Sequence, residues 1–261
     1  MSRIRQYKAV NAATSSKNLI HDDDGARRHG LAKALVPATG LLAYVLIAVR
    51  EDLGPAWEEQ GSAVIRFSAP VYNGQLLEVS AVQENDGVAV RLTAEGGQQP
   101  AVTGRANLSA SHYFGRRPQL ASLTGLPSRP MTGGDLIADE RLNSMTVDTS
   151  LGQIADYAQT AGVDSPDEAA GVPTEFLIAS YVSYLKANFV RRQPSMYAGV
   201  QIRCLRRTEV GEPLEMRGRI DRLYSRKGRQ FMMIESGWFD SDDYPVLWAL
   251  HTSVYELGPA G

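Results

Sequence analysis

The sequence has a single cysteine, Cys204, among 261 residues. That excludes an intramolecular disulfide and any zinc cluster built on cysteines. Cys204 itself lies in an apolar/polar alternation and reads as a buried strand residue. An excess of one charge is missing too: 27 Lys and Arg stand against 29 Asp and Glu, giving a formal net charge of -2 and a pI near 6.1. No basic field remains to hold nucleic acid, and no lysine-rich helix to lie on a membrane. Long hydrophobic runs are also absent. The longest apolar segment, Leu35–Val49, is interrupted by Pro37 and Gly40 and is shorter than the roughly 20 residues a spanning helix needs. The amino terminus carries Arg3, Arg5 and Lys8 with no apolar run behind them, so it does not read as a secretory signal, and a cytoplasmic protein is expected. No Gly-x-Ser-x-Gly elbow occurs. Asp22-Asp23-Asp24 lack histidines at ligand spacing, so neither a metal nor a redox cofactor is expected, and the run reads as a helix N-terminal cap.

What is present is enough for a packed core: 43% of the residues are apolar. The chain also repeats itself faintly. Shifted by 137 residues, Tyr44 falls on Tyr181, Ile65 on Ile202, Arg66 on Arg203, Gly74 on Gly211, Leu77 on Leu214 and Glu78 on Glu215. The coincidences run in order through a helix, a strand and a turn, at a period suited to a duplicated domain and too long for a solenoid. Each half begins with an apolar helix, Val36–Arg50 and then Glu175–Val190. Four segments of period-two alternation follow each helix. In the first half they are Ala63–Ala69, Gln75–Gln83, Val88–Ala94 and Val102–Tyr113. In the second they are Tyr197–Leu205, Pro213–Leu223, Gln230–Trp238 and Val246–Leu257. Short turns between them argue for antiparallel neighbours. Phe114–Asp135, rich in Pro and Gly, shows no periodicity and reads as a linker.

A long helix wrapped by a strongly curved antiparallel sheet is the hot-dog plan. The expected class is therefore α+β, a double hot-dog. Residues 1–115 would form the first unit, 116–139 the linker and 140–261 the second unit. Pairing the two sheets edge to edge removes two exposed edges and sets a cleft at the joint.

The richest chemistry lies in Ser15-Ser16-Lys17-Asn18-Leu19-Ile20-His21-Asp22-Asp23, followed by Ala26, Gly30 and the first helix. Arg66-Phe67-Ser68-Ala69-Pro70-Val71-Tyr72-Asn73-Gly74 comes later. The two segments resemble, in order and spacing, the motifs of the MaoC-like hydratase/dehydratase group of the hot-dog superfamily. The likeness runs over residues 14–113 and is weaker over 144–257. It implies a lyase that adds or removes water at the α,β position of an acyl thioester of coenzyme A or acyl carrier protein. It leaves room for a homodimer of such double units. Carried over, His21 is the acid/base, Asn18 and Ser16 hold the turn and a water, and the amides of Ala38, Thr39 and Gly40 polarise the thioester carbonyl.

The sequence departs from the group where its aspartate should be, at Ser16, and has Leu19 in place of its proline. In the second half Val163, Ser165 and Glu168 stand at the aspartate, asparagine and histidine positions, so at most one working site is expected. Glu175, at the start of the second helix, is the candidate partner for His21 across the cleft. Three alternatives stay open: a thioesterase that uses Glu175, an inactive acyl- or polyketide-binding module, and a specialised-metabolism cyclase. His29, His112 and His251 read as structural. Arg191-Arg192 and Arg206-Arg207 read as charged surface, with a coenzyme A phosphate as the other reading.

Overall fold

The computed structural model describes residues 3–13, 16, 18–108, 119–165 and 168–257. The end of the expected strand Val102–Tyr113, His112 and the start of the linker fall outside them. The first half runs β1 (Arg3–Lys8), α1 (Asp23–Arg28), α2 (Ala38–Leu53), α3 (Trp57–Gln60), β2 (Ser62–Phe67), β3 (Leu76–Glu84), β4 (Gly87–Ala94) and β5 (Val102–Asn107). Next come β6 (Arg129–Pro130), β7 (Met145–Val147), α4 (Leu151–Ala161), α5 (Thr174–Ala179), α6 (Tyr181–Asn188) and β8 (Phe189–Val190). The chain closes with β9 (Met196–Cys204), β10 (Leu214–Arg226), β11 (Arg229–Phe239) and β12 (Pro245–Glu256).

Alternation builds the strands. In β3, Leu77, Val79 and Ala81 are buried, while Leu76 and Glu78 face out. Helix α2 is buried on nearly every side, from Leu41 through Leu46 and at Ala48 and Val49, because β3, β4 and β5 wrap it and α4 and α5 cover what they leave. Truncating Leu42, wholly enclosed there, would cost about 2–5 kcal/mol.

Among the described residues ten strands form one antiparallel sheet in the order β1-β3-β4-β5-β2-β9-β12-β11-β10-β7. The order reads the same from either end once each first-half strand is exchanged for its counterpart. The joint is β2 against β9, where Ser62 faces Arg203, Val64 faces Gln201 and Arg66 faces Gly199. Moving each first-half partner up by 137 and each second-half partner down by 137 turns Ser62–Arg203 into Arg66–Gly199. The faint sequence period is thus the spacing of a pseudo-twofold centred on Val64 and Gln201. Gly74 and Gly211, related by the same shift, both have positive φ, +82° and +79°. A side chain there would be strained.

The second central helix differs from expectation. It is not one rod over Glu175–Val190. It breaks between α5 and α6 at Ser180 and ends in β8, which pairs in parallel with β6 inside the segment expected to be a structureless linker. At Ser180 the backbone N–H donates to both Phe176 and Leu177 carbonyls, and the hydroxyl donates to Leu177 O at 2.6 Å. Back-bonding to the preceding turn tightens and bends a helix. The break also absorbs one residue. Pro37 and Pro173, which open α2 and α5, are 136 apart, whereas Tyr44 and Tyr181 are 137 apart. No helix among the described residues is long and apolar enough to cross a membrane.

Candidate functional site

His21 ends a short 3-10 turn, Leu19–His21, and is stitched to the start of α2. Ile20 O accepts from Leu35 N at 2.8 Å, and Val36 N donates to Val71 O at 2.9 Å. The two motif segments, far apart in sequence, thereby meet at one end of α2. Asn11 Nδ2 holds the His21 carbonyl at 3.0 Å, and its backbone N–H donates to Asn73 Oδ1 at 2.9 Å.

The imidazole Nδ1 lies 2.8 Å from Leu35 O. A carbonyl only accepts, so Nδ1 carries the hydrogen and the neutral ring has its lone pair on Nε2. Burial lowers the pKa of His21; the Leu35 bond opposes that, and the charge of Arg191 adds to it. The ring is therefore a neutral base at neutral pH.

Asn18 is buried and braces the turn from the second half. Its Nδ2 donates to Ser195 O at 2.9 Å and its Oδ1 accepts from Ser195 N at 3.4 Å. Ser16 Oγ accepts the Asn18 N–H at 3.1 Å. Asp22 Oδ1 caps α1 through Gly25 N at 2.7 Å, as the cap reading expected.

Helix α2 opens after Pro37 with no side-chain cap. Gly40 N donates to Pro37 O at 3.0 Å, so its amide is already used. The amides of Ala38 and Thr39 have no carbonyl one turn back in the helix, and they sit at its positive end. Tyr157 of α4 donates to Thr39 O at 3.3 Å.

The structure does not bring Glu175 to His21. Glu175 is 3% exposed and engages Arg50, with Nη1 donating to Oε2 at 3.0 Å and Nη2 to Oε1 at 3.1 Å. Arg50 also holds Glu58 Oε1 at 3.0 Å, and Glu58 Oε1 accepts Thr174 N at 3.1 Å. His21 is tied to the start of α2, and Arg50 lies 12 residues along it from Ala38, or about 18 Å at the usual helical rise. α2 and α5 pack so that the end of one meets the start of the other, which separates the expected pair. His251 is wholly buried: Nδ1 meets Tyr197 OH at 2.6 Å, Nε2 meets Ser236 Oγ at 2.8 Å, and the ring stacks on Tyr181 at 3.8 Å. Burial pushes its pKa down to about 3. Among the described residues no group of three potential ligand side chains could hold a metal.

No protein-family profile matches the sequence, and no curated protein matches it. Solved structures do. A protein described as a MaoC-domain dehydratase from Chloroflexus aurantiacus superposes with a TM-score of 0.68 at 12% identity, over 98% of this chain and 95% of that one. Rv0216 from Mycobacterium tuberculosis, described as having a double hotdog fold, gives 0.62 at 11% over 97% and 96%. A protein from Lactobacillus plantarum described as an oleoyl thioesterase gives 0.56 at 10% over 100% and 98%. The fold is a double hot-dog. At such identities the likeness speaks for the fold alone.

Within this double hot-dog, sequence reasoning missed Ser195, Tyr157 and the Arg50–Glu58 pair. Ser195 acts through its backbone, so its residue type carries no signal. Tyr157 sits in α4, a helix that the sequence reading does not include. Only Arg191 had a signal, as half of an Arg-Arg doublet.

Proposed function

We propose that the protein is an acyl-thioester hydratase/dehydratase in which His21 is the acid/base. The observation that carries this reading is the imidazole itself. Its Nδ1 is locked on Leu35 O, its Nε2 is left as a base, and it stands at the uncapped amino end of α2.

In the dehydration direction, Nε2 takes the proton from the α carbon of a 3-hydroxyacyl thioester. Negative charge moves to the thioester oxygen, where the amides of Ala38 and Thr39 and the helix dipole stabilise it. The β C–O bond then breaks, the imidazolium returns its proton to the departing oxygen, and water leaves. One ring serves both steps, so the Ser16 position needs no carboxylate. Ser16 and Asn18 hold the turn.

The thioesterase reading has less support, because both oxygens of Glu175 are engaged by Arg50 at the far end of α2. Incubation with a trans-2-enoyl thioester separates the two. Loss of enoyl absorbance without thiol release supports hydration, whereas stoichiometric thiol release would replace this proposal with hydrolysis. His21→Ala should reduce the hydration rate by about 10²- to 10⁴-fold. Turnover unchanged in that variant would remove His21 from the chemistry.

A further inference from the structure

Most of the shielded arginines in this chain hold a carboxylate. Arg5 takes Glu51 and Asp52, Arg50 takes Glu58 and Glu175, and Arg217 takes Glu215 and Asp243. Arg191 is different. Its Nε is buried without a hydrogen-bond partner, and among the described residues no carboxylate pairs with it. A largely desolvated guanidinium with no counter-charge is costly, which makes its position informative. Two other arginines share a buried, unpartnered Nε, but neither is at the His21 turn. Arg203 lies on β9 opposite Ser62 and Trp248, and the Arg207 guanidinium bonds Ala169 O.

Arg191 immediately follows β8, four residues before Ser195, whose backbone is clasped twice by Asn18. That clasp fixes the 191–195 segment against the turn bearing His21. The positive charge of Arg191 reaches both His21 and Tyr181. A neutral base and a cation without a carboxylate partner are thus carried by two segments that Asn18 ties together.

We propose that Arg191 is a specificity residue that receives a carboxylate carried on the acyl part of the thioester, so that acyl groups derived from diacids are the favoured ligands. The inference rests on the acyl-thioester reading of the His21 site. A phosphate of the carrier is the other anionic source. It is separated from the thioester by the whole pantetheine arm, whereas a guanidinium on the segment clasped to the His21 turn meets the acyl end. The carboxylate would supply the bidentate partner that the arginine lacks.

The test is calorimetric binding of three unreactive probes: a saturated diacid mono-thioester of coenzyme A, its methyl ester, and coenzyme A alone. The full chain is used, with Arg191→Met and Arg191→Lys. The charge-assisted contact predicts that the wild type binds the free acid about 10- to 100-fold tighter than the methyl ester. Arg191→Met should abolish that preference and Arg191→Lys should retain part of it. Affinity for coenzyme A alone should be unchanged in both variants. An acid/ester ratio equal in wild type and Arg191→Met overturns the proposal. So does a matching loss for coenzyme A alone, which would assign Arg191 to a phosphate. Hydration of the unsaturated counterparts is followed separately. If neither the acid nor the ester is hydrated, the lyase reading falls, while the binding ratios still decide the role of Arg191.

Discussion

Replacing Arg50 by methionine removes a cation that joins two enclosed carboxylates. Glu175 is 3% exposed and Glu58 is 7% exposed, and Arg50 bonds both. Despite the desolvation that opposes it, the two carboxylates raise the arginine's pKa and keep it charged. Breaking a buried ion pair by deleting one partner costs about 3–5 kcal/mol, because the remaining charge is stranded. For a chain of this size that is a fall of about 6–20 °C in Tm. Differential scanning calorimetry of Arg50→Met measures it. The deficit should also depend on pH. Burial and the charge of Glu175 already raise the Glu58 pKa above its usual value, and Arg50 only partly offsets them. A carboxyl whose folded pKa lies above its unfolded pKa binds more protons when folded. Its stability contribution is therefore present below the unfolded pKa and is lost as pH rises through the folded one. Removing the cation lifts the folded pKa further, so the deficit of Arg50→Met should be largest near neutrality and shrink toward about pH 5. The double change Arg50→Met with Glu175→Gln should regain part of the loss, since it strands one carboxylate fewer. A Tm within about 2 °C of the wild type, or a deficit that grows on acidification, would refute the reasoning.

His21→Ala should leave Tm within a few degrees while turnover falls. In the wild type the acid limb of the turnover profile should lie below the usual histidine range, because burial and Arg191 lower the pKa of His21 and the base must be neutral. Asn18→Ala unsatisfies Ser195 N and O in a buried place, and a urea titration should show a loss of about 1–3 kcal/mol. Cys204 is 2% exposed, and burial pushes its thiol up to about 12. A chromogenic disulfide reagent should label it only at the rate of opening, and rapid labelling of the native chain would contradict its placement.

The sequence makes visible whatever is local. Period-two alternation announces seven of the main strands to within three residues at each end and β5 at its start, and the spacing of Gly74 and Gly211 announces the pseudo-twofold. β1 escapes notice because Arg5 makes it look like a charged tail. In the fold Arg5 reaches across to Glu51 and Asp52 of α2, and Tyr7 stacks on Tyr44 at 4.4 Å. β7 pairs through only three residues and has too little sequence to show a period. The break at Ser180 turns on one serine hydroxyl, and Ser183, three residues on, sits in an unbroken helix, so residue type alone does not mark it. Glu175 misled for a related reason. An acid at a helix start is accounted for locally by the dipole, and nothing local reveals that its partner stands 125 residues earlier in the chain.

The pseudo-twofold also gives a physical reason why the two ends of the joint differ. Under the 137-residue shift, Glu58 and Ser195 occupy equivalent places. At the His21 end the equivalent residue is small, and it offers its backbone to Asn18. The amino end of α2 is left without a side-chain cap, just after the Leu35 backbone that holds the His21 ring. At the other end the equivalent residue is a carboxylate, and it accepts the N–H of Thr174, the first residue of α5. An anion supplied by the protein thus fills the place where an anionic transition state would sit, and Arg50 fastens it there. A helix start that is already satisfied has little electrostatic stabilisation left for a thioester oxygen. The second half thus pairs a glutamate, Glu168, at the position matching His21 with a carboxylate already seated at its helix start. On the function proposed above, the Glu58 end is a strut and the chemistry belongs to the His21 end.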